Sequence, residues 1–191
     1  MQPHIQIIIA SVRDNRKGDK VARWVYEQAS KRDDATFELV DLKEWELPMF
    51  ADAKLPSMGE YSTDIARKWA ASVGKADGYI FVTPEYNHGY PASLKNALDY
   101  LYKEWNKKPA AFVSYGGQAG GARSVEQLRQ ITIELEMVPL RSAIVLPAIR
   151  SMLTEQGTLI DDEARSGAAT KLLDEIIWWA AFLKGARESV S

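Results

Sequence analysis

The chain has no cysteine. That one absence excludes disulfide scaffolds, thiolate zinc sites, iron–sulfur ligation and a cysteine nucleophile. Its only histidines are His4 and His88, which leaves little room for a histidine-based metal centre. An excess of charge of one sign is missing too: 24 Lys and Arg stand against 26 Asp and Glu, a formal net charge of −2. Nucleic-acid partners usually require a basic face, so none is expected. Long hydrophobic runs are also absent. The longest, 176–183, is well short of the roughly 20 residues that span a bilayer, so no membrane insertion is expected. The opening Met1-Gln2-Pro3-His4 lacks the basic run of a secretory signal, and a cytoplasmic location is the default expectation.

What is present reads as one globular domain over 1–191, with 46% apolar and 26% charged residues. The hydrophobic period switches repeatedly between that of a strand and that of a helix. Strands are predicted over 5–10, 36–40, 79–83, 110–114 and 141–146. Helices are predicted over 19–31, 64–73, 92–102, 122–135 and 165–184. Right-handed crossovers between such elements give a parallel sheet with helices on both faces. Five strands fit the flavodoxin-like order 2-1-3-4-5 without remainder, an α/β three-layer sandwich, whereas a full dinucleotide fold wants a sixth strand. Segment 42–60 has no clear period, and an irregular stretch of that length tends to be functional.

In such a sheet ligands bind beyond the carboxyl ends of the strands near the switch point, here the loops after the first, third and fourth strands. All three are unusual. The first, Ser11-Val12-Arg13-Asp14-Asn15-Arg16-Lys17-Gly18, runs into a helix. A hydroxyl, several cations and the N–H groups of a helix start suit a phosphate, with Ser11 and Arg13 nearest the anion. A solvated basic turn explains the same residues without a ligand. No GxxxxGK[ST] pattern is present, which argues against a nucleoside triphosphatase. The second loop, Thr83-Pro84-Glu85-Tyr86-Asn87-His88-Gly89-Tyr90-Pro91, is longer than most strand-to-helix turns and combines stiff prolines, an amide and two tyrosines, suited to stacking a planar ring and reading its polar edge. The third, Ser114-Tyr115-Gly116-Gly117-Gln118-Ala119-Gly120-Gly121, lets backbone approach a ligand closely, although a flexible hinge would look the same and GxGxxG does not match it.

The segments Ile-Ile-Ile-Ala-Ser-Val-Arg (7–13), Thr-Pro-Glu-Tyr-Asn-His-Gly-Tyr-Pro-Ala-Ser-Leu-Lys-Asn-Ala-Leu-Asp (83–99) and Ser-Tyr-Gly-Gly-Gln-Ala-Gly-Gly-Ala-Arg (114–123) resemble the NADPH-dependent FMN reductase family of the flavodoxin-like superfamily, which includes quinone, azo-dye and chromate reductases. The likeness extends through Pro147. It implies FMN as cofactor and NADPH or NADH as co-substrate, with hydride passing through FMN to a flavin, quinone or similar small acceptor in a ping-pong cycle. By the same resemblance Ser11 and Arg13, helped by Arg16 and the backbone around Gly18, would hold the FMN phosphate. Pro84, Glu85, Tyr86 and Asn87 would line the ring system, and Ser114, Tyr115, Gly116 and Gly117 would run along its opposite side. Backbone donors of Gly116 and Gly117 would stabilise the reduced flavin. Ala10 stands where the family often has glycine, and the role of His88 stays open. No side chain is required as acid or base at the reacting atom.

Two other readings remain at this stage: a flavodoxin-like electron carrier, to which the small net charge and basic first loop are poorly suited, and a non-catalytic flavin- or anion-binding module. A serine hydrolase lacks its GxSxG elbow. Trp24 and Trp69 sit on apolar helix stripes and are expected in the core, whereas Trp178 and Trp179 cannot both face it. The aromatic set Tyr90, Tyr100, Tyr102 and Trp105 suggests an interface, hence a homodimer or homotetramer, with the loop bearing Trp45, Met49, Phe50 and Met58 as the rim of a partner's site.

Overall fold

Runs of β-branched residues too continuous for a one-sided strand require cover on both faces, and the computed structural model, which describes residues 2–190, supplies it. Strands β1 (His4–Ile9), β2 (Thr36–Asp41), β3 (Gly78–Pro84), β4 (Pro109–Tyr115) and β5 (Val138–Leu146) form one sheet in the order β2-β1-β3-β4-β5, with every pairing parallel. Every residue of β3 and β4 is buried, while the edge strand β2 alternates. This is the flavodoxin-like architecture expected from the sequence.

The helices are α1 (Gly18–Ala29), α2 (Leu42–Trp45), α3 (Asp64–Gly74), α4 (Ala92–Asp99), α5 (Ala122–Glu134) and α6 (Glu163–Val190). One apolar layer packs α1 and α6 on the sheet through Trp24, Val25, Leu172 and Ile176. The other packs α3, α4 and α5 through Trp69, Leu98 and Leu128. Trp24 and Trp69 are in the core, as their spacing indicates.

Three departures have local causes. The helix expected over 92–102 ends at Asp99, and the chain then turns so that Trp105 enters the core and donates its indole N–H to the Leu98 carbonyl at 3.2 Å. Trp105 is fully buried and Tyr100 nearly so, so these two aromatics belong to the protein's own core and not to the interface expected of them. The fifth strand starts earlier than expected because a register shift between Ala110 and Phe112 of β4, with Pro139 inside the strand, breaks its period. Segment 42–60 contains α2 and a single 3-10 turn, 56–58. It is tied down by Asn96, whose amide donates to the Pro48 carbonyl at 2.8 Å and accepts the Phe50 N–H at 2.8 Å.

At the amino ends of the strands, away from the three loops, Lys108 is buried with Nζ on Tyr79 Oη at 3.1 Å and the Gly74 carbonyl at 3.2 Å. Burial, and then the field of Arg187, lowers its ammonium pKa to about 8 from 10.5, against the pull of Asp77 and Glu104. Between those values the unfolded chain holds the proton that the folded chain has released, so stability rises with pH there, by about 3 kcal/mol at most. The unfolding free energy of the wild type relative to Lys108→Met should therefore climb from pH 8 to 10.5 in denaturant titrations. A pH-independent difference would contradict this.

Candidate active site

Parallel β1, β3 and β4 lie side by side, so the loops that leave their carboxyl ends must meet. They meet at hydroxyl groups. Ser11, fully buried just past β1, has its Oγ 2.7 Å from Tyr86 Oη in the loop after β3. Tyr115, the last residue of β4, lies against Gly18, the first residue of α1: a Cβ at Gly18 would come within 2.5 Å of its hydroxyl. The Tyr115 hydroxyl is buried without a hydrogen-bond partner. The Ser11 hydroxyl, already paired with Tyr86, is its neighbouring hydroxyl and, as a hydrogen-bonding group, favours the ionised form. Burial, and then the neighbouring Tyr86, pushes the Tyr115 phenol well above its usual range and keeps it a proton donor.

The start of α1 has no side-chain cap; Lys17 occupies the N-cap position. A buried helix start normally needs partners for its first N–H groups. Cations collect there instead: a cleft of about 310 Å³ is lined by Arg13, Asn15, Arg16, Lys17, Lys20 and Lys43, with Asp19 among them. Helix-start N–H groups, cations and an orphaned hydroxyl form a donor set for a phosphate.

The cations are not equivalent. Arg13 is exposed, with its guanidinium carbon 5.5 Å from the centroid of the Tyr86 ring, a cation–π contact that leaves its edge free for an anion. Arg16 is committed to protein: it donates to the Ser11 carbonyl at 2.9 Å and pairs with Asp41 at the end of β2. It braces the loop from beneath, which narrows the direct phosphate contact expected of it. Asp41 was missed in the sequence because its partner is remote along the chain; it also caps α2 through the Lys43 N–H.

Beyond Pro84, residues 86–89 close a two-residue turn, Tyr86 and Gly89 exchanging backbone hydrogen bonds of 2.8 and 3.0 Å. Asn87 and His88 hold φ of 51° and 66°, the pattern of a type I′ turn, for which Asn is well suited and His tolerated. Gln127 of α5 fixes this turn by donating to the His88 carbonyl at 3.0 Å, and Ser124 donates to the Pro84 carbonyl at 2.9 Å. Neither residue stood out in the sequence, because each looks like an ordinary helix position. The Glu85 side chain is nearly buried and is held by Arg123, whose Nε donates to Oε1 at 2.6 Å, so its carboxylate is already paired.

The glycine loop borders a second cleft of about 480 Å³, lined by Glu85, residues 117–121 and Arg123. Gly117 faces open space, with nothing within 4 Å of where a Cβ would stand. Gly116 donates its N–H to the Leu146 carbonyl at 3.2 Å. The pair of backbone donors expected from Gly116 and Gly117 is therefore reduced to Gly117. Ser114 Oγ is buried without a partner. A more apolar hollow of about 490 Å³, between the 48–63 segment and Tyr100, lies off this edge and gathers no comparable donor set. Among the described residues no group of three or more His, Asp or Glu could hold a metal, and no helix is long and apolar enough to cross a membrane.

The chain belongs to the NADPH-dependent FMN reductase family, whose sequence pattern matches residues 3–149. It is an oxidoreductase of the FMN- and NAD(P)H-using kind. It is 42% identical over 149 residues to an NAD(P)H-dependent FMN reductase of Schizosaccharomyces pombe, covering 76% of this chain and 74% of that protein. It is 26% identical over 185 residues to a 2-hydroxy-1,4-benzoquinone reductase of a Burkholderia species, covering 92% and 94%. In fold it is similar to the flavoenzyme NAD(P)H:(acceptor) oxidoreductase of Paracoccus denitrificans, with a TM-score of 0.74 at 20% identity over 94% of this chain and 97% of that one.

The Gly18–Tyr115 contact is directly testable. Alanine normally stabilises a helix relative to glycine, yet Gly18→Ala should cost about 1–3 kcal/mol, because its methyl must displace the Tyr115 ring. Adding Tyr115→Phe should recover part of the loss, since the hydroxyl is the nearer clash. Stabilisation by Gly18→Ala in thermal unfolding would contradict the contact.

Proposed function

We propose that the loops after β1, β3 and β4 hold FMN, and that the protein passes electrons from NAD(P)H to a small acceptor such as free flavin or a quinone in a ping-pong cycle. The observation that carries this reading is the uncapped start of α1, ringed by cations and facing the orphaned Tyr115 hydroxyl, on the same sheet edge as the open glycine loop. The residues present fit the cofactor. Bound FMN would supply the two-electron chemistry, accepting hydride from NAD(P)H and then giving it up to the acceptor.

The chain's own residues bind and orient. Ser11, Arg13, the Gly18 backbone and Tyr115 take the phosphate. Pro84, the Glu85 backbone, Tyr86 and Asn87 face the ring's polar edge, and Ser114 and Gly117 border its other side, with Gly116 holding the loop to β5. Arg16 positions Ser11 through the carbonyl it grips. Four basic residues, Arg16, Lys17, Arg123 and Arg150, are candidates to recognise the 2′-phosphate of NADPH; Arg16 and Arg123 are already paired with carboxylates, which leaves Lys17 and Arg150 of these. The names of the fungal and Burkholderia relatives support flavin and quinone as acceptors. The protein works in the cytoplasm, as a single domain assembled into a homodimer or homotetramer.

Initial rates with NADPH and a benzoquinone varied together should give parallel double-reciprocal lines; intersecting lines would contradict the ping-pong cycle. Arg13→Ala should raise the FMN dissociation constant about tenfold or more, the scale of a charge-assisted contact to phosphate, while turnover at saturating FMN changes far less. Unchanged FMN affinity would remove Arg13 from the phosphate site.

A further inference from the structure

Helix α6 packs one stripe on the sheet through Leu172, Leu173, Ile176 and Ala180. Its opposite face carries Trp178 and Phe182, 60% and 59% exposed, with their rings stacked 4° from parallel at 5.6 Å. Single exposed apolar residues need no explanation, but two large aromatics fixed against each other mark a contact surface. The outward residues Ala164, Ala168, Lys171, Glu175, Trp178 and Phe182 are spaced 4, 3, 4, 3 and 4 apart, the seam of a coiled coil. The amino half of this seam is small and the carboxyl half is bulky.

We propose that this seam docks on the same seam of a second copy, antiparallel, about a two-fold axis level with Leu173. That one register sets Ala164 opposite Phe182, Ala168 opposite Trp178 and Lys171 opposite Glu175, each pair occurring twice by symmetry. Every bulky ring meets an alanine and every charge its opposite. The charges identify the occupant: among the described residues, Lys171 and Glu175 make no ion pair within the chain, and the complement of each is found on the same helix run backwards. Asp174, beside the seam, is held by Arg32 and takes no part. Gly167, with open space where a Cβ would stand, leaves room for the partner's helix to approach. From 164 to 182 the seam is about 27 Å long, enough for a helix pair to grip over five turns. This inference rests on the homo-oligomer of the proposed function and not on its redox chemistry.

Sedimentation equilibrium of the full-length, flavin-supplemented protein tests it, with Lys171→Glu, Glu175→Lys, their equimolar mixture and the double variant beside the wild type. Each single variant places like charges opposite one another and should raise the dissociation constant of this contact about tenfold or more. The mixture and the double variant restore opposite charges and should return it to near the wild-type value. Trp178→Ala should weaken the contact without altering NADPH oxidation per folded protomer. A wild type that is monomeric at tens of micromolar, single variants that associate as the wild type does, or a mixture and double variant that fail to recover would each overturn the proposal.

Discussion

The loops after β1, β3 and β4 and the start of α1 are joined by two contacts: the Ser11 and Tyr86 hydroxyls, 2.7 Å apart, and the Tyr115 ring lodged on Gly18. The first ties the end of β1 to the loop after β3. The second ties the end of β4 to the start of α1. Both depend on the parallel register, which sets Ile9 of β1 beside Val82 of β3 and Pro84 of β3 beside Tyr115 of β4 and so brings the carboxyl ends of the three strands to one level. The helix start at Gly18, its cations and the glycine loop are consequently parts of one edge and not three separate surface features.

That edge divides its charges by task. Arg16 is already satisfied by the Ser11 carbonyl and Asp41, so it gives the loop its shape whether or not an anion is present. Arg13 stands over Tyr86, exposed and with its hydrogen-bonding edge open. Glu85 is neutralised by Arg123, which keeps an unpaired carboxylate away from the cleft where a negatively charged ligand is expected. A site with its charges paired in this way is preorganised, and little has to move when a ligand binds.

The sequence disclosed the sheet most clearly where burial is complete. The runs Ile5–Ala10, Tyr79–Thr83 and Ala110–Ser114 admit few alternatives, and their order follows from right-handed crossovers. It was least informative at the edges, where Pro139 and a register shift disguise the beginning of β5 and where Trp105 leaves the helical stripe to fill the core. The three ligand loops were legible because their composition is abnormal for turns. Their supports were not. Asp41, Ser124 and Gln127 occupy unremarkable strand and helix positions, and their roles follow only from which remote carbonyl or guanidinium the fold sets before them. The division between Arg13 and Arg16, three residues apart in one basic loop, was invisible for the same reason.

The central claim is that the start of α1, with its cations and the Tyr115 hydroxyl, is built for the phosphate end of the cofactor. The most direct measurement is a paired titration of the apoprotein with FMN and with riboflavin, which share the ring system and differ only in that phosphate. The account predicts that FMN binds at least about a hundredfold more tightly, and that the gap narrows as salt screens the exposed Arg13. Equal affinities for the two flavins would contradict it.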